Sequence, residues 1–173
     1  KILFVDDDSN VINLLRKVFQ LEPYDMLFTT DPREALSMAR REKPAVVICN
    51  LCMPGLNGVD VLQAISEFSP HMGKVILTHT PEVGTSIDAI NRGQVDRFLL
   101  KPCNEQVLQQ AVGELVEMYQ LRVDTELMNQ SLAEKVHELE NFRQQLEIQA
   151  NERLDEIKQV NSLLDHSRKD IRL

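Results

Sequence analysis

Apolar and polar positions change their rhythm along the chain, and the change divides it in two. Through roughly the first hundred residues, short β-branched runs alternate with segments whose apolar residues fall three and four apart. The runs predict strands over 2–5, 25–29, 45–49, 74–78 and 96–100. The helical spacing predicts helices over 9–21, 32–41, 59–68 and 81–92. Ser9 or Asp8 is placed to cap the first, Asp31 with Pro32 opens the second, and Gly93 stops the fourth. Strand–helix alternation at this spacing predicts an α/β fold with a doubly wound parallel sheet and helices on both faces. Ligand chemistry in such sheets gathers at the carboxyl ends of the strands.

From Asn104 onward the period is helical, with Gly113 the one potential breaker in 70 residues. Uncharged positions recur at Met118, Leu121, Thr125, Met128, Leu132, Leu139, Phe142 and Leu146 in steps of three and four. The seam is interrupted at Lys135, where Val136 can substitute by a small rotation of the helix. It resumes at Ala150, Leu154, Ile157, Asn161 and Leu164, after two consecutive steps of four. Such a stutter locally unwinds a supercoil. A straight helix over 118–173 extends on the order of 80 Å, and a stripe that long is best buried by another copy of itself. The pattern predicts a parallel homodimeric coiled coil over 117–173, with Asn161 as a register-fixing polar position, behind a domain over 1–116. The alternative, a helix folded back on its own domain, is disfavoured because the seam outruns that domain.

Charge sharpens the division. The chain carries 19 Lys+Arg and 27 Asp+Glu, for a formal charge of −8. Residues 1–103 hold 11 basic and 13 acidic side chains, while 104–173 hold 8 and 14. The acidic balance, without a basic cluster, argues against direct DNA or RNA binding. No apolar run approaches the ~20 residues that span a bilayer, and no signal pattern opens the chain. Three cysteines cannot all pair within one chain, which favours a reducing, cytoplasmic setting. The sequence begins at Lys1 rather than Met and ends inside helix-like sequence at Leu173, as an excised piece would.

Several chemistry-bearing residues fall at predicted strand ends. Asp6, Asp7 and Asp8 follow the first strand, Asn50 the third, Thr78 ends the fourth, and Lys101-Pro102 follows the fifth. Adjacent carboxylates at the top of a sheet repel one another and suit a hard cation such as Mg²⁺. A converging lysine neutralises anionic oxygens, and a threonine hydroxyl can donate to one. Asp8 is more simply read as a helix cap.

These stretches resemble the receiver domain of two-component response regulators over about residues 1–115. The matching motifs are Ile2-Leu3-Phe4-Val5-Asp6-Asp7-Asp8, Met53-Pro54-Gly55-Leu56-Asn57-Gly58, Leu77-Thr78 and Phe98-Leu99-Leu100-Lys101-Pro102. The resemblance implies a flavodoxin-like, five-stranded sheet in the order 2-1-3-4-5, followed here by the long coiled-coil helix. It implies that Asp6 and Asp7 are the acid pair, with Mg²⁺ held by them and by the Cys52 backbone carbonyl. It further implies Thr78 as switch hydroxyl, Phe98 as switch aromatic, and Lys101 as the phosphate-contacting lysine with a cis peptide to Pro102. Residues 88–92, Phe98 and 105–116 would form the face that changes on phosphorylation.

One position departs from the pattern. Receivers carry a phosphate-accepting aspartate three residues before Met-Pro, and this chain has Asn50-Leu51-Cys52-Met53-Pro54. A carboxamide oxygen is a poor nucleophile, and its NH₂ presents donors where a metal wants acceptors. Loss of a negative charge also weakens Mg²⁺ binding. The reading is therefore a receiver that does not accept phosphate at Asn50. Either it is a naturally degenerate receiver, or an aspartate was replaced to freeze the unphosphorylated state. The rest of the pocket is intact and fits both.

Other groupings carry less. Cys49-x-x-Cys52 has redox-dithiol spacing, but Met53-Pro54-Gly55 reads as a loop rather than the helix start that activates such thiols, and Cys103 adds no metal set. His79 stands where receivers usually carry a small residue and is most simply an exposed loop histidine. His71, His137 and His166 are isolated. The mixed charges of the coil are a solvated face.

Taken together, the residues describe a two-component signal-transduction receiver module that passes its state through a dimeric coil to an output domain beyond Leu173. Its partners would be a second copy of itself and a cognate histidine kinase or other signalling protein. Two alternatives stay open. One is a phosphorylation-independent protein-binding scaffold. The other is a phosphorylatable regulator whose natural protein has aspartate at this position, with the self-phosphorylation chemistry that competent receivers catalyse. The stretch Ala89-Ile90-Asn91-Arg92-Gly93-Gln94 and the coil over 138–164 are similar to receivers fused to HD-GYP cyclic-di-GMP phosphodiesterases, and diguanylate cyclases use similar coils. None of the phosphodiesterase's metal-binding His-Asp residues occurs here, so the chain itself is not read as an enzyme.

Overall fold

A computed structural model describes residues 1–79 and 95–170, with side chains through Leu164. The helix expected over 81–92, its stop at Gly93, the 88–92 part of the switch face and the His166 side chain lie outside the described residues. Five strands, β1 (Ile2–Val5), β2 (Met26–Thr29), β3 (Val46–Cys49), β4 (Gly73–Thr78) and β5 (Arg97–Leu100), form one parallel sheet in the order β2-β1-β3-β4-β5. Between them run α1 (Ser9–Val18), α2 (Pro32–Glu42) and α3 (Gly58–Phe68), and α4 (Glu105–Asp170) follows β5. The doubly wound order expected from the resemblance is the observed one.

Period-two alternation sorts the strands onto two cores. Leu3, Val5, Val47, Cys49 and Ile76 point to one face, where Ala35 and Ala39 of α2 and Val61, Leu62 and Ile65 of α3 cover them. Ile2, Phe4, Val46, Ile48, Val75 and Leu77 point to the other, against Ile12 and Leu15 of α1 and Leu108, Val112 and Leu115 of α4. The central strands β1 and β3 are buried along their whole length, which is why they read as unbroken apolar runs.

Caps set the helix starts. Asp8 accepts from the Asn10 amide at 2.8 Å, Asp31 from Arg33 at 2.8 Å with Pro32 in the first turn, and Asn57 from Val59 at 2.9 Å. Asn104 does the same for α4 through the Gln106 amide at 2.8 Å. The first helix ends at Val18 rather than at 21, because Phe19 closes it on the Leu15 carbonyl and a turn then runs into Pro23. Leu21, counted into the helix by its spacing, is 95% exposed.

A polar cluster joins the opposite pole of the sheet to α4. Lys74 is a charged residue inside a fully buried strand, and burial pushes its ammonium pKa down, an effect that nearby Asp96 partly offsets. Asp96 accepts the Lys74 backbone amide at 2.8 Å and lies 3.9 Å from the Arg122 guanidinium. Arg122 also donates to the His71 carbonyl at 3.4 Å. Attachment of α4 to the sheet domain thus runs from Leu108 to Arg122.

The chain divides into two compact units, Lys1–Asp124 and Thr125–Leu173. The second is helical as far as Asp170. Lacking Gly and Pro and rich in Leu, Glu, Gln, Lys and Arg, it is built of strong helix formers. Its described side chains, Thr125 to Leu164, are all exposed. No described helix is long and apolar enough to cross a membrane.

Candidate functional site

The carboxyl ends of β1 and β3 bring Asp6, Asp7 and Asn50 side by side, because these neighbouring parallel strands are in register from Ile2↔Val46 to Val5↔Cys49. The next residue on each strand leaves the ladder at the same height. Asn50 stays tied to β1 through its backbone amide, which donates to the Val5 carbonyl at 2.8 Å. Lys101 arrives from the end of β5, two strands away, its backbone amide donating to the Thr78 carbonyl at 2.7 Å. The Lys101–Pro102 peptide is cis, as the resemblance implies.

Four side chains and one carbonyl form a closed polar network. The Lys101 Nζ donates to Asp6 Oδ2 at 2.5 Å, and these two side chains are 7% and 3% exposed. The other Asp6 oxygen accepts the Asp8 backbone amide at 3.0 Å. A buried pair of this kind is costly to break, about 3–5 kcal/mol when one partner is removed, because the survivor is left charged and dry. Asn50 lies between the pair and the exposed Asp7. Its Nδ2 donates to Asp7 Oδ1 at 2.8 Å and to the Cys52 carbonyl at 2.9 Å. Its Oδ1 faces the Lys101 ammonium at 3.4 Å. That arrangement fixes which end of the amide is which: two acceptors face the NH₂ and a donor faces the oxygen.

Asp6, Asp7, Asn50, Cys52 and Lys101 are therefore gathered at one place. Thr78 ends β4 beside them and is buried. Phe98 lies on β5 opposite Ile76 and packs, half-buried, against the core that α2 and α3 cover. His79 is exposed and lines a groove of about 190 Å³ with Leu14, Leu15 and Leu108, beside α1. Asp8 is the α1 cap described above. The seam residues Leu121, Met128, Leu132, Leu139, Phe142, Leu146, Leu154, Ile157 and Leu164 are each 49–72% exposed in the single chain, and Asn161 is exposed with them. A stripe of that length facing water is unusual for a helix without a partner.

Two features have no role that the sequence pattern marks, one at the pocket and one at the opposite pole of the sheet. Gly58 is one: a Cβ there would lie 2.1 Å from the Asn50 carbonyl oxygen, so the first turn of α3 can approach the pocket only without a side chain. Its place after the cap Asn57 was the available signal. The other is the Lys74–Asp96–Arg122 cluster, signalled only by a lysine inside a strand run.

The cysteines are free, with Cys49 buried and Cys52 exposed. Burial, reinforced by the Asp6 charge, pushes the Cys49 thiol pKa far up, which is the opposite of a reactive thiol. The unfolded chain loses this proton above its ordinary pKa of about 8.5, whereas the native chain keeps it. Stability from Cys49 is thus fully present below that pH and falls above it by up to about 1.4 kcal/mol per pH unit. Urea titrations at rising alkaline pH are expected to show this slope, and Cys49→Ala to flatten it.

The arrangement does not suit a hard divalent cation as it stands. Among the described residues no three His, Cys, Asp or Glu side chains converge as a metal set. Asp6 accepts from Lys101 and from the Asp8 amide, while Asp7 Oδ1 and the Cys52 carbonyl accept from the Asn50 amide nitrogen.

Comparison with known proteins follows the same geometry. The family model of the response regulator receiver domain matches residues 2–113. The chain is 29% identical over 141 residues to the alginate biosynthesis transcriptional regulatory protein AlgB of Pseudomonas aeruginosa, covering 82% of this chain and 31% of that protein. It thus spans about a third of that relative's length. Among solved structures it is similar to the signal receiver domain of an HD domain-containing protein from Pseudomonas fluorescens, with a TM-score of 0.68, 27% identity, and 71% and 90% of the two chains covered. A structure described as adenylate cyclase from Rhodopirellula baltica also has a TM-score of 0.68, at 30% identity over 73% of this chain and 94% of that one.

Proposed function

The chain belongs to the family of response regulator receiver domains, and from that premise we propose that it is a two-component receiver module whose Asn50 takes no phosphoryl group. The observation that carries this reading is the Asn50 amide, which lies beside Asp6, Asp7 and Lys101 and is bonded through its nitrogen to Asp7 and the Cys52 carbonyl, at the position the receiver resemblance assigns to the acceptor carboxylate. Acyl phosphate formation needs a carboxylate oxygen to attack phosphorus, and this position offers none. Receiver domains are regulatory modules rather than enzymes in their own right. Here the receiver comprises 1–116 and the coil 117–173. Phosphate-pocket roles fall to Lys101 and Thr78, with Phe98 as the aromatic of the switch. Mg²⁺ binding through Asp6, Asp7 and the Cys52 carbonyl is weak.

Output is carried by the coil. Two copies pair in parallel through Leu121, Met128, Leu132, Leu139, Phe142, Leu146, Leu154, Ile157, Asn161 and Leu164, and the stutter after Leu146 is the element that changes register. The module works in the cytoplasm with a histidine kinase or another signalling protein. The likeness to the solved receiver of an HD domain-containing protein favours an HD-type output domain. That this is a cyclic-di-GMP phosphodiesterase, with a diguanylate cyclase as the alternative, rests on the resemblance of 89–94 and 138–164. A second reading, a phosphorylation-independent scaffold, is favoured by the Asp6–Lys101 pair and the Asn50–Asp7 hydrogen bond, which hold the pocket together through protein groups.

The test of transmission is a disulfide scan along 118–164 in an Asn50→Asp background, with and without a phosphoryl mimic. Cross-linking that shifts along the coil supports register transmission. Identical patterns in both states sink it.

A further inference from the structure

Deepening the reading of position 50 given above, on which it rests, we infer that the Asn50 carboxamide nitrogen occupies the cation position of the pocket, as a built-in hydrogen-bonded plug. Asp7 Oδ1 and the Cys52 carbonyl oxygen come from different elements, the end of β1 and the loop after β3. Both lie within 2.9 Å of one nitrogen, Asn50 Nδ2. That nitrogen has two N–H groups and spends one on each oxygen. A hard cation shared by a carboxylate and a backbone carbonyl would draw the same two groups together.

The far end of the amide locks the plug in place. Its Oδ1 faces the Lys101 ammonium at 3.4 Å, and that ammonium is held at 2.5 Å by the buried Asp6 carboxylate. Turning the amide so that its oxygen met an incoming ion would aim N–H groups at the ammonium, donor against donor. Entry of a cation therefore requires both Nδ2 hydrogen bonds to break, and the remaining orientation is repelled by Lys101. The buried part of the pocket is satisfied by protein groups, since no described buried side-chain nitrogen or oxygen lacks a partner.

This separates two explanations for weak cation binding that otherwise look alike. If Asn50 is only a lost ligand, removing its side chain changes nothing or makes binding worse, because even a neutral carboxamide oxygen can ligate. If Asn50 is a plug, deleting the side chain opens the site to Asp6, Asp7, the Cys52 carbonyl and water, and binding improves.

The measurement is Mn²⁺ affinity, read from the free-ion paramagnetic signal, for the full chain and for its Asn50→Ala and Asn50→Asp variants. The expected order of affinity is Asn50→Asp, then Asn50→Ala, then the unaltered chain. Asn50→Ala is expected to bind about tenfold more tightly than the unaltered chain, the scale of losing one charge-assisted hydrogen bond that competes with the ion. An Asn50→Ala variant that folds, by circular dichroism, and binds Mn²⁺ no more tightly overturns the plug. A second readout needs no variant at this position. The Asn50 side-chain NH₂ resonances are expected to stay unmoved through millimolar Mg²⁺, and their shift at submillimolar Mg²⁺ overturns the plug as well. The underlying reading fails separately: if Asn50→Asp takes no phosphoryl group from acetyl phosphate, position 50 is not an acceptor position, whatever the Mn²⁺ order.

Discussion

Leu139→Asp is expected to convert the chain from a dimer to a monomer at micromolar concentration, measured by sedimentation equilibrium. Leu139 is 66% exposed in one chain, and it lies midway along the seam between Leu132 and Leu146. In a parallel pair it faces its own copy, so one substitution removes two buried leucines and places two carboxylates opposite each other. Truncating a buried leucine costs about 2–5 kcal/mol, and it is counted twice per dimer. At 1.4 kcal/mol per tenfold, the loss exceeds about two orders of magnitude in dissociation constant before repulsion is added. Far-ultraviolet circular dichroism is expected to fall as well. The side chains from Thr125 to Leu164 touch no core of their own, and long helices in water draw most of their stability from packing of an apolar face. The sheet domain is expected to keep its own unfolding transition, because its two cores use nothing beyond Leu115 except the flanking contacts of Val116 and Tyr119.

Asn50→Asp is expected to gain phosphoryl transfer, the reaction that the proposed reading denies to Asn50. With acetyl phosphate in Mg²⁺ buffer, a carboxylate oxygen at position 50 attacks phosphorus, the bond to acetate breaks, and an acyl phosphate remains on the protein. Lys101 is already poised there, 3.4 Å from Asn50 Oδ1, to neutralise the new charge. The rate is expected to rise by at least about three orders of magnitude, the scale on which a nucleophile's presence acts. Intact mass and hydroxylamine lability report the adduct. The same change removes both hydrogen bonds made by Asn50 Nδ2 and sets a third carboxylate beside Asp6 and Asp7. Without a cation the variant is therefore expected to be less stable than the unaltered chain, and Mg²⁺ is expected to restore it. Thermal midpoints with chelator and with Mg²⁺ measure that difference.

Much of this molecule was legible before any coordinate. The five strands are legible because β1 and β3 are buried on both faces and so spell continuous apolar runs, while α2 carries a cap at Asp31 that a helix start requires. The first helix is three residues shorter than its apolar spacing predicts, because Leu21 keeps that spacing after Phe19 has already turned the chain. At the site, the residue types are legible from their strand-end positions, and Asn50 stands out as a departure from the receiver pattern that the neighbouring motifs resemble. What was not legible was the direction of the Asn50 amide. It depends on four groups brought from the ends of β1, β3 and β5, and no local spacing records that meeting. The cluster of Lys74, Asp96 and Arg122 is hidden for the same reason, as its partners lie far apart in sequence, while the need for Gly58 follows from a close approach to the Asn50 carbonyl that the spacing does not show.

The central claim joins a pocket without an acceptor to a coil that pairs. Native mass spectrometry of the unaltered chain, after incubation with acetyl phosphate and Mg²⁺, tests both parts in one spectrum. The predicted result is a species of two chains in which neither protomer carries a phosphoryl group. A monomer at micromolar concentration, or a phosphoryl adduct at Asn50, would contradict it.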